Sequence, residues 1–301
     1  MDYSRKGNRK MIIKHITVVG AGQMGHQIAI LAALGGYETT IHDMNEHSLN
    51  NSRNQLHMLL DRWIAKGKLT VKQKDEALVK LSYTTDLKEA VAATDFVIEA
   101  VVEKLEVKRS VFAELDEYAP KHAILASNSS TIVNSLLASA TTRPDKVVNM
   151  HFFFPPVVMD CVEVVMSEET SQETAAITMN VCKQMNRTAV LLQKEISGFV
   201  ANRILGALHK EAMFLYENGY ADFKDIDLIC KKALNHPIGP FELMDLSGID
   251  VGYYVMNQRY TETGDPSDLP PQFLKEKVEK GELGRKTGKG FYTYEKEHIK
   301  K

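Results

Sequence analysis

The sequence predicts an α/β fold, a mainly parallel sheet covered on both faces by helices, followed by an all-helical C-terminal domain. Three observations carry this. Short apolar runs alternate with helical stretches over the first two thirds of the chain. A glycine-rich turn joins the first of those runs to the first helix, and past residue 196 the strand-like runs stop.

The 301 residues suit two domains, at the usual ~100–200 residues each. With 44% hydrophobic and 25% charged residues the composition is that of a globular protein, and a net charge of −2 supplies no field that would attract nucleic acid or an anionic membrane. No apolar run reaches the ~20 residues of a membrane span. Cys161, Cys182 and Cys230 are odd in number and far apart, which fits a reducing, cytoplasmic location better than a disulfide framework. The polar, basic "MDYSRKGNRK" reads as a disordered extension over residues 1–11, before a natural start near Met11.

In "HITVVGAGQMGHQIA" a strand over 16–19 runs into a turn and then a helix. Gly20, Gly22 and Gly25 make G-x-G-x-x-G, with Ala21, Gln23 and Met24 completing the turn. The first glycine permits the tight turn, the second lets a pyrophosphate approach the backbone, and the third lets the helix pack closely on the strand. This is the dinucleotide fingerprint of a Rossmann-type domain. The next strand, "ETTIHD", ends in Asp43, whose spacing suits a carboxylate that grips both ribose hydroxyls and so favours NAD over NADP. His42, Asp43, Glu46 and His47 also suggest a metal, but they lack ligand spacing and Asp43 is already committed, so no metal is expected.

Helices follow over 46–66 and 71–80, and strands over 95–103, 123–127, 146–152 and 161–165. Lys66, Lys68, Lys72, Lys74 and Lys80 read as a solvated helical face, from which one or two side chains could reach phosphates. "HFFFPPVVMDCVEV" sets His151 and Glu163 in apolar company, where each needs a partner. If the last two strands return alongside one another, the two side chains meet at the end of the sheet. A structural ion pair would satisfy them equally well. The nucleotide loop favours acid–base work instead, because the cleft of an open α/β sheet lies beyond the carboxyl ends of its strands. There a histidine takes a hydroxyl proton as hydride leaves, and a carboxylate fixes its tautomer. Ser130, in "ASNSST", is placed to hold the substrate oxygen or simply to bond its own turn.

The dinucleotide domain is expected over 12–196 and the helical one over 197–301. The helix "GFVANRILGALHKEAMFLYENG" (198–219) is apolar on most of its circumference, so it is expected to be buried in a core or between subunits. Short helices broken at Pro237 and Gly239 follow, and the chain closes with the glycine-rich "GELGRKTGKGFYTY".

Taken together, "VVGAGQMGHQIA", "EAVVEKLEVK", "ASNSS", "SGFVANR", "HPIGPFELMDLSGID" and "GRKTGKGFY" resemble the 3-hydroxyacyl-CoA dehydrogenase family, close to its bacterial 3-hydroxybutyryl-CoA members. The resemblance implies NAD-dependent interconversion of a short-chain (S)-3-hydroxyacyl-CoA and its 3-oxoacyl-CoA. It makes His151 the acid–base residue and Glu163 its orienting partner, with Ser130 and Asn202 on the substrate oxygen. It assigns Glu103, Lys108, Ser130 and Lys286 to the cofactor, Lys66 to the CoA phosphates, and a homodimer to the C-terminal helical domain. The main departure is Phe154, where the family has the asparagine of H-F-F-N-P; Asp160 and Cys161 also depart. Phenylalanine replaces neither the donor nor the acceptor of the amide, a loss of ~1–3 kcal/mol if a polar group is left unpaired. Two alternatives therefore stand beside the main reading: the same chemistry on a different 3-hydroxy acid, with Phe154 lining the substrate site, or a catalytically weak NAD-binding paralogue.

Overall fold

The computed structural model describes residues 11–295, so apart from Met11 the expected N-terminal extension lies outside the described residues. The chain forms two compact units that meet in sequence at Phe199 and Val200.

The first unit is built on eight strands: β1 (His15–Val19), β2 (Glu38–His42), β3 (Leu81–Thr84), β4 (Phe96–Glu99), β5 (Ile124–Ser127), β6 (Val147–Phe152), β7 (Cys161–Val165) and β8 (Thr188–Leu192). They lie in the order β3-β2-β1-β4-β5-β6-β7-β8. Every neighbouring pair is parallel except β6 and β7. The chain leaves β1 first toward β2 and later toward β4, which makes the carboxyl end of β1 the switch point of the sheet.

Seven helices cover this sheet: α1 (Gly25–Leu34), α2 (Glu46–Ala65), α3 (Val71–Val79), α4 (Leu87–Val91), α5 (Leu105–Tyr118), α6 (Asn134–Ala138) and α7 (Gln172–Gln184). Side chains alternate between the sheet's two faces with period two. Phe96, Ile98, Ile124 and Val148 pack with α1, α2, α3 and α7 in one core. Val97, Leu125 and Val147 pack with α4, α5 and α6 in the other. The near-continuous apolar strands of the sequence are thus those buried on both faces. Local chemistry sets the helix starts: Asn45 accepts from His47 N at α2, and Thr70 and Gln73 form a reciprocal cap at α3.

Three elements differ from the sequence expectation. Strands β3 and β8 are additional to those expected; both are edge strands, half-buried, and so carry a weaker apolar signal. The strand expected over 95–103 ends at Glu99, because Glu99 Oε1 accepts from Val101 N at 2.7 Å and turns the chain out of the sheet.

The second unit contains α8 (Ala201–Glu217), α9 (Phe223–Lys232), α10 (Pro240–Ser247), α11 (Ile249–Thr263) and α12 (Gln272–Glu279). Its core gathers Met213, Ile226, Phe241, Ile249, Leu274 and Phe291. Only Ala212 and Met213 of α8 are buried, whereas Ile204 is 66% and Phe214 49% exposed. The apolar circumference read from the sequence is therefore not spent inside this unit. Among the described residues no helix is long and apolar enough to cross a membrane.

Candidate active site

The carboxyl ends of β1 and β2 hold the glycine turn. Gly20 adopts φ +106°, and a Cβ there would stand 2.6 Å from the Ala100 carbonyl oxygen; at Gly25 it would overlap the Gly20 carbonyl. The turn is thus pressed against β4 on one side and against its own helix on the other. Of the three glycines of the turn, Gly22 faces open space. Asp43 fixes the turn from β2: Oδ2 accepts from Ala21 N at 2.9 Å and Oδ1 from Asn45 N at 3.0 Å. The carboxylate and the free face of Gly22 therefore stand side by side, as ribose and pyrophosphate recognition requires. His26 lies against the same turn, its Nδ1 2.7 Å from the Gly22 carbonyl, and burial lowers its pKa.

Across the switch point a polar row crosses the sheet. Glu99 on β4 pairs in register with Ser127 on β5, and Ser127 with Asn149 on β6. Each lies two residues beyond Val97, Leu125 or Val147, so all three share the face that α5 covers. All three are fully buried. Glu99 Oε2 accepts from Ser127 Oγ at 2.7 Å, and Glu99 Oε1 lies 2.7 Å from Lys108 Nζ of α5. Lys108 in turn reaches Glu103 Oε2 at 3.2 Å. Glu103 Oε1 gathers donors from the loop after β5: Ser129 Oγ at 2.6 Å, Ser130 N at 2.9 Å and Thr131 N at 3.1 Å. Burial opposes its ionisation, but the Lys108 ammonium and these donors outweigh it and hold the Glu103 carboxyl below its usual range. Lys108 is only 1% exposed, its ammonium enclosed by the two carboxylates.

On β6 and β7 the cross-strand register sets His151 opposite Glu163. His151 Nδ1 and Glu163 Oε2 are 2.9 Å apart, with both residues under 5% exposed. Two rings wall the imidazole, Phe153 at 4.6 Å and Phe199 at 5.5 Å between centroids. Phe199 is fully buried at φ +45°, a backbone state a bulky residue adopts only when its surroundings enforce it. The loop that carries Ser130 is tied to the same strand end, since Asn128 Oδ1 accepts from Phe152 N at 2.9 Å. Asn149 Nδ2 donates to the Ile132 carbonyl, while its buried Oδ1 has no partner among the described residues.

The structure thus brings together, in one unit, the glycine turn, Asp43, Glu103, Lys108, Ser130, His151 and Glu163. Phe154 is 59% exposed at the head of the loop that leaves β6. Lys66 is the C-cap of α2. In the second unit, Asn202 lies exposed in the first turn of α8, and Lys286 Nζ pairs with Asp250 at 2.6 Å. Glu99, Ser127, Asn149 and Phe199 join the site without having been expected from the sequence. Glu99 carries a cue like that of Glu163, a lone carboxylate in an apolar strand.

Family models decide the affiliation. The 3-hydroxyacyl-CoA dehydrogenase NAD binding domain matches residues 15–196 and the 3-hydroxyacyl-CoA dehydrogenase C-terminal domain matches residues 198–294. The chain belongs to the 3-hydroxyacyl-CoA dehydrogenase family. A probable 3-hydroxybutyryl-CoA dehydrogenase of Bacillus subtilis is 39% identical, over 95% of this chain and 99% of that protein. The crystal structure of (S)-3-hydroxybutyryl-CoA dehydrogenase from Ralstonia eutropha matches with a TM-score of 0.88 and 37% identity, over 95% of this chain and 100% of that one. A diketoreductase described as acting on dicarbonyl compounds matches with a TM-score of 0.85 and 32% identity, over 94% and 99%. The family is one of NAD-dependent oxidoreductases, and NAD is the cofactor of this dehydrogenase. The open face of Gly22 and the adjacent Asp43 carboxylate fit that cofactor.

Proposed function

We propose that this dehydrogenase interconverts a short-chain (S)-3-hydroxyacyl-CoA and its 3-oxoacyl-CoA, with His151 as the acid–base residue. The 2.9 Å contact between His151 Nδ1 and Glu163 Oε2 supports this most. A carboxylate only accepts, so Nδ1 carries the hydrogen and Nε2 keeps the lone pair that receives a proton. In oxidation the C3 hydroxyl gives its proton to Nε2, and Glu163 stabilises the imidazolium that forms. Bound NAD+ supplies the acceptor for the hydride that leaves C3. In reduction His151 returns the proton to the 3-oxo oxygen. Ser130, its backbone N–H held by Glu103, and Asn202 polarise that oxygen. Residues 20–25, Asp43, Glu103, Lys108 and Lys286 serve the cofactor, and Lys66 the CoA phosphates.

Purified protein should oxidise NADH with acetoacetyl-CoA, and His151→Gln should lower kcat by ~10²–10⁴-fold with NADH affinity retained. A variant that keeps a tenth or more of the rate removes His151 from the chemistry.

The exposed Phe154 and the diketoreductase likeness favour a second reading, the same reaction on a 3-oxo compound without CoA. An aromatic ring prefers apolar contact to amide recognition. Equal kcat/KM for acetoacetyl-CoA and a free dicarbonyl substrate supports this reading, and a large preference for the CoA ester ends it.

The protein forms a homodimer through its helical C-terminal unit, a reading supported by exposed Ile204, Phe214, Leu228 and Ile229. A monomer in sedimentation at micromolar concentration contradicts it. Three free cysteines support a reducing, cytoplasmic location, testable by fractionation.

A further inference from the structure

Glu99, Lys108 and Glu103 form one connected cluster, through the 2.7 Å and 3.2 Å contacts of Lys108 Nζ. Two carboxylates against one ammonium leave a formal charge of about −1. Glu99 and Lys108 are almost wholly buried, so solvent and salt screen their charges weakly, and Glu103 meets solvent with 38% of its side chain.

The place of the cluster in the sheet gives the charge a target. The glycine turn after β1 and Asp43 after β2 mark the pyrophosphate and the adenosine half of the dinucleotide. The other half must then extend over the opposite side of the switch point, past the ends of β4 and β5. Glu99 ends β4, Ser127 ends β5, and Glu103 holds the loop between Ser129 and Thr131. The ring at that end is a cation in NAD+ and neutral in NADH. A fixed negative charge close by distinguishes the two forms, whereas contacts to ribose and phosphate do not.

We infer that the Glu99–Lys108–Glu103 cluster, buried at Glu99 and Lys108, tunes the cofactor's redox state, favouring the oxidised nicotinamide through its net negative charge. Glu99 is a positioning residue in this scheme, because no part of it is exposed to touch the cofactor. It holds Lys108 and Ser127, and it contributes the charge that the ammonium does not cancel. The inference rests on NAD occupying the glycine turn as proposed above.

The test is the ratio of the dissociation constants of NAD+ and NADH, measured by titration of the intact protein without substrate. Glu99→Gln is nearly isosteric: its amide oxygen still accepts from Val101 N and Lys108 Nζ, and its amide nitrogen can donate to Ser127 Oγ. Neutralising it should raise the ratio of NAD+ to NADH dissociation constants by ~3–10-fold, with the shift persisting at high salt. A purely structural role would weaken both forms alike and leave the ratio unmoved, which overturns the inference. If Glu99→Gln does not fold, Glu103→Gln makes the same charge change at a side chain that is 38% exposed, and the ratio should rise or stay unmoved with the same meaning, read at low salt. Failure of wild-type protein to bind either form would instead refute the cofactor placement, a result distinct from an unchanged ratio.

Discussion

Two glycine-rich turns of this chain look alike in sequence and do opposite things. In residues 20–25, Gly22 faces open space and the neighbouring Asp43 carboxylate keeps its place at the turn's edge. In residues 284–290, the glycines close around a carboxylate of the protein itself. A Cβ at Gly284 would overlap the Asp245 backbone, and one at Gly290 the Asp245 carboxylate. Asp245 is fully buried and takes Phe291 N at 2.9 Å, Tyr292 N at 2.8 Å and Tyr294 Oη at 2.9 Å. Asp227 does the same for Phe241 N, Glu242 N and Tyr292 Oη. Glycine therefore marks a close approach in both turns; what approaches, a ligand or the fold, is decided by whether a carboxylate of the chain already fills the space.

The largest effect that would break this comparison lies in the second turn. Gly284→Ala forces a methyl into the Asp245 backbone at φ +93°, so it should cost more than about 4 kcal/mol and unfold the C-terminal unit first. Thermal denaturation followed by near-UV dichroism reads this directly. A Tm within a few degrees of wild type would mean that the closed turn is not closed.

The sequence made one of these turns legible and not the other, for a physical reason. The first turn is local: strand, glycines, helix and the following Asp43 fall within 30 residues, and each glycine has a role that can be assigned from the backbone alone. The His151–Glu163 pair was legible in the same way, because two polar groups 12 residues apart in apolar strands can meet if the strands pair. In contrast, Asp245 meets Phe291 N across 46 residues, and nothing in "FELMDLSGID" says that its carboxylate belongs to a turn so far along the chain. The Glu99–Lys108 pair was missed because Lys108 reads as one more cation on a helix until α5 is laid on the sheet. Edge strands β3 and β8 escaped because half-burial dilutes the apolar pattern. The roles of Asn202 and Lys286 in the second unit come from the family resemblance; locally Asn202 is a polar residue at a helix start, which caps its helix or reaches a cleft equally well.

A second, smaller effect sharpens the comparison from the open side. Gly22→Ala meets no protein atom, so its stability should stay within about 1 kcal/mol of wild type or rise slightly as the unfolded chain loses freedom. With NAD placed as proposed, the same methyl would occupy the surface that the pyrophosphate approaches, so NADH affinity should fall ~10–100-fold. Titration of NADH fluorescence separates the two readouts. Loss of stability with unchanged affinity would place Gly22 in the same class as Gly284.

The smallest effect concerns pH and belongs to the closed turn alone. Burial, reinforced by the hydrogen bond to Asp245, pushes the Tyr294 phenol above its ordinary value of 10.0. A group whose pKa is raised by folding contributes stability that is complete below its unfolded value and is lost as pH rises through the folded one. The C-terminal unit should therefore lose Tm above pH 10, and Tyr294→Phe should flatten that alkaline limb while costing about 1 kcal/mol at neutral pH. Tyr292, raised for the same reason against Asp227, leaves a residual slope in the variant. The 20–25 turn holds no tyrosine, so Gly22→Ala should follow the wild-type alkaline curve throughout. Parallel curves for wild type and Tyr294→Phe between pH 9 and 11 would show that the phenol does not brace the turn, and that Asp245 is held by its two backbone donors alone.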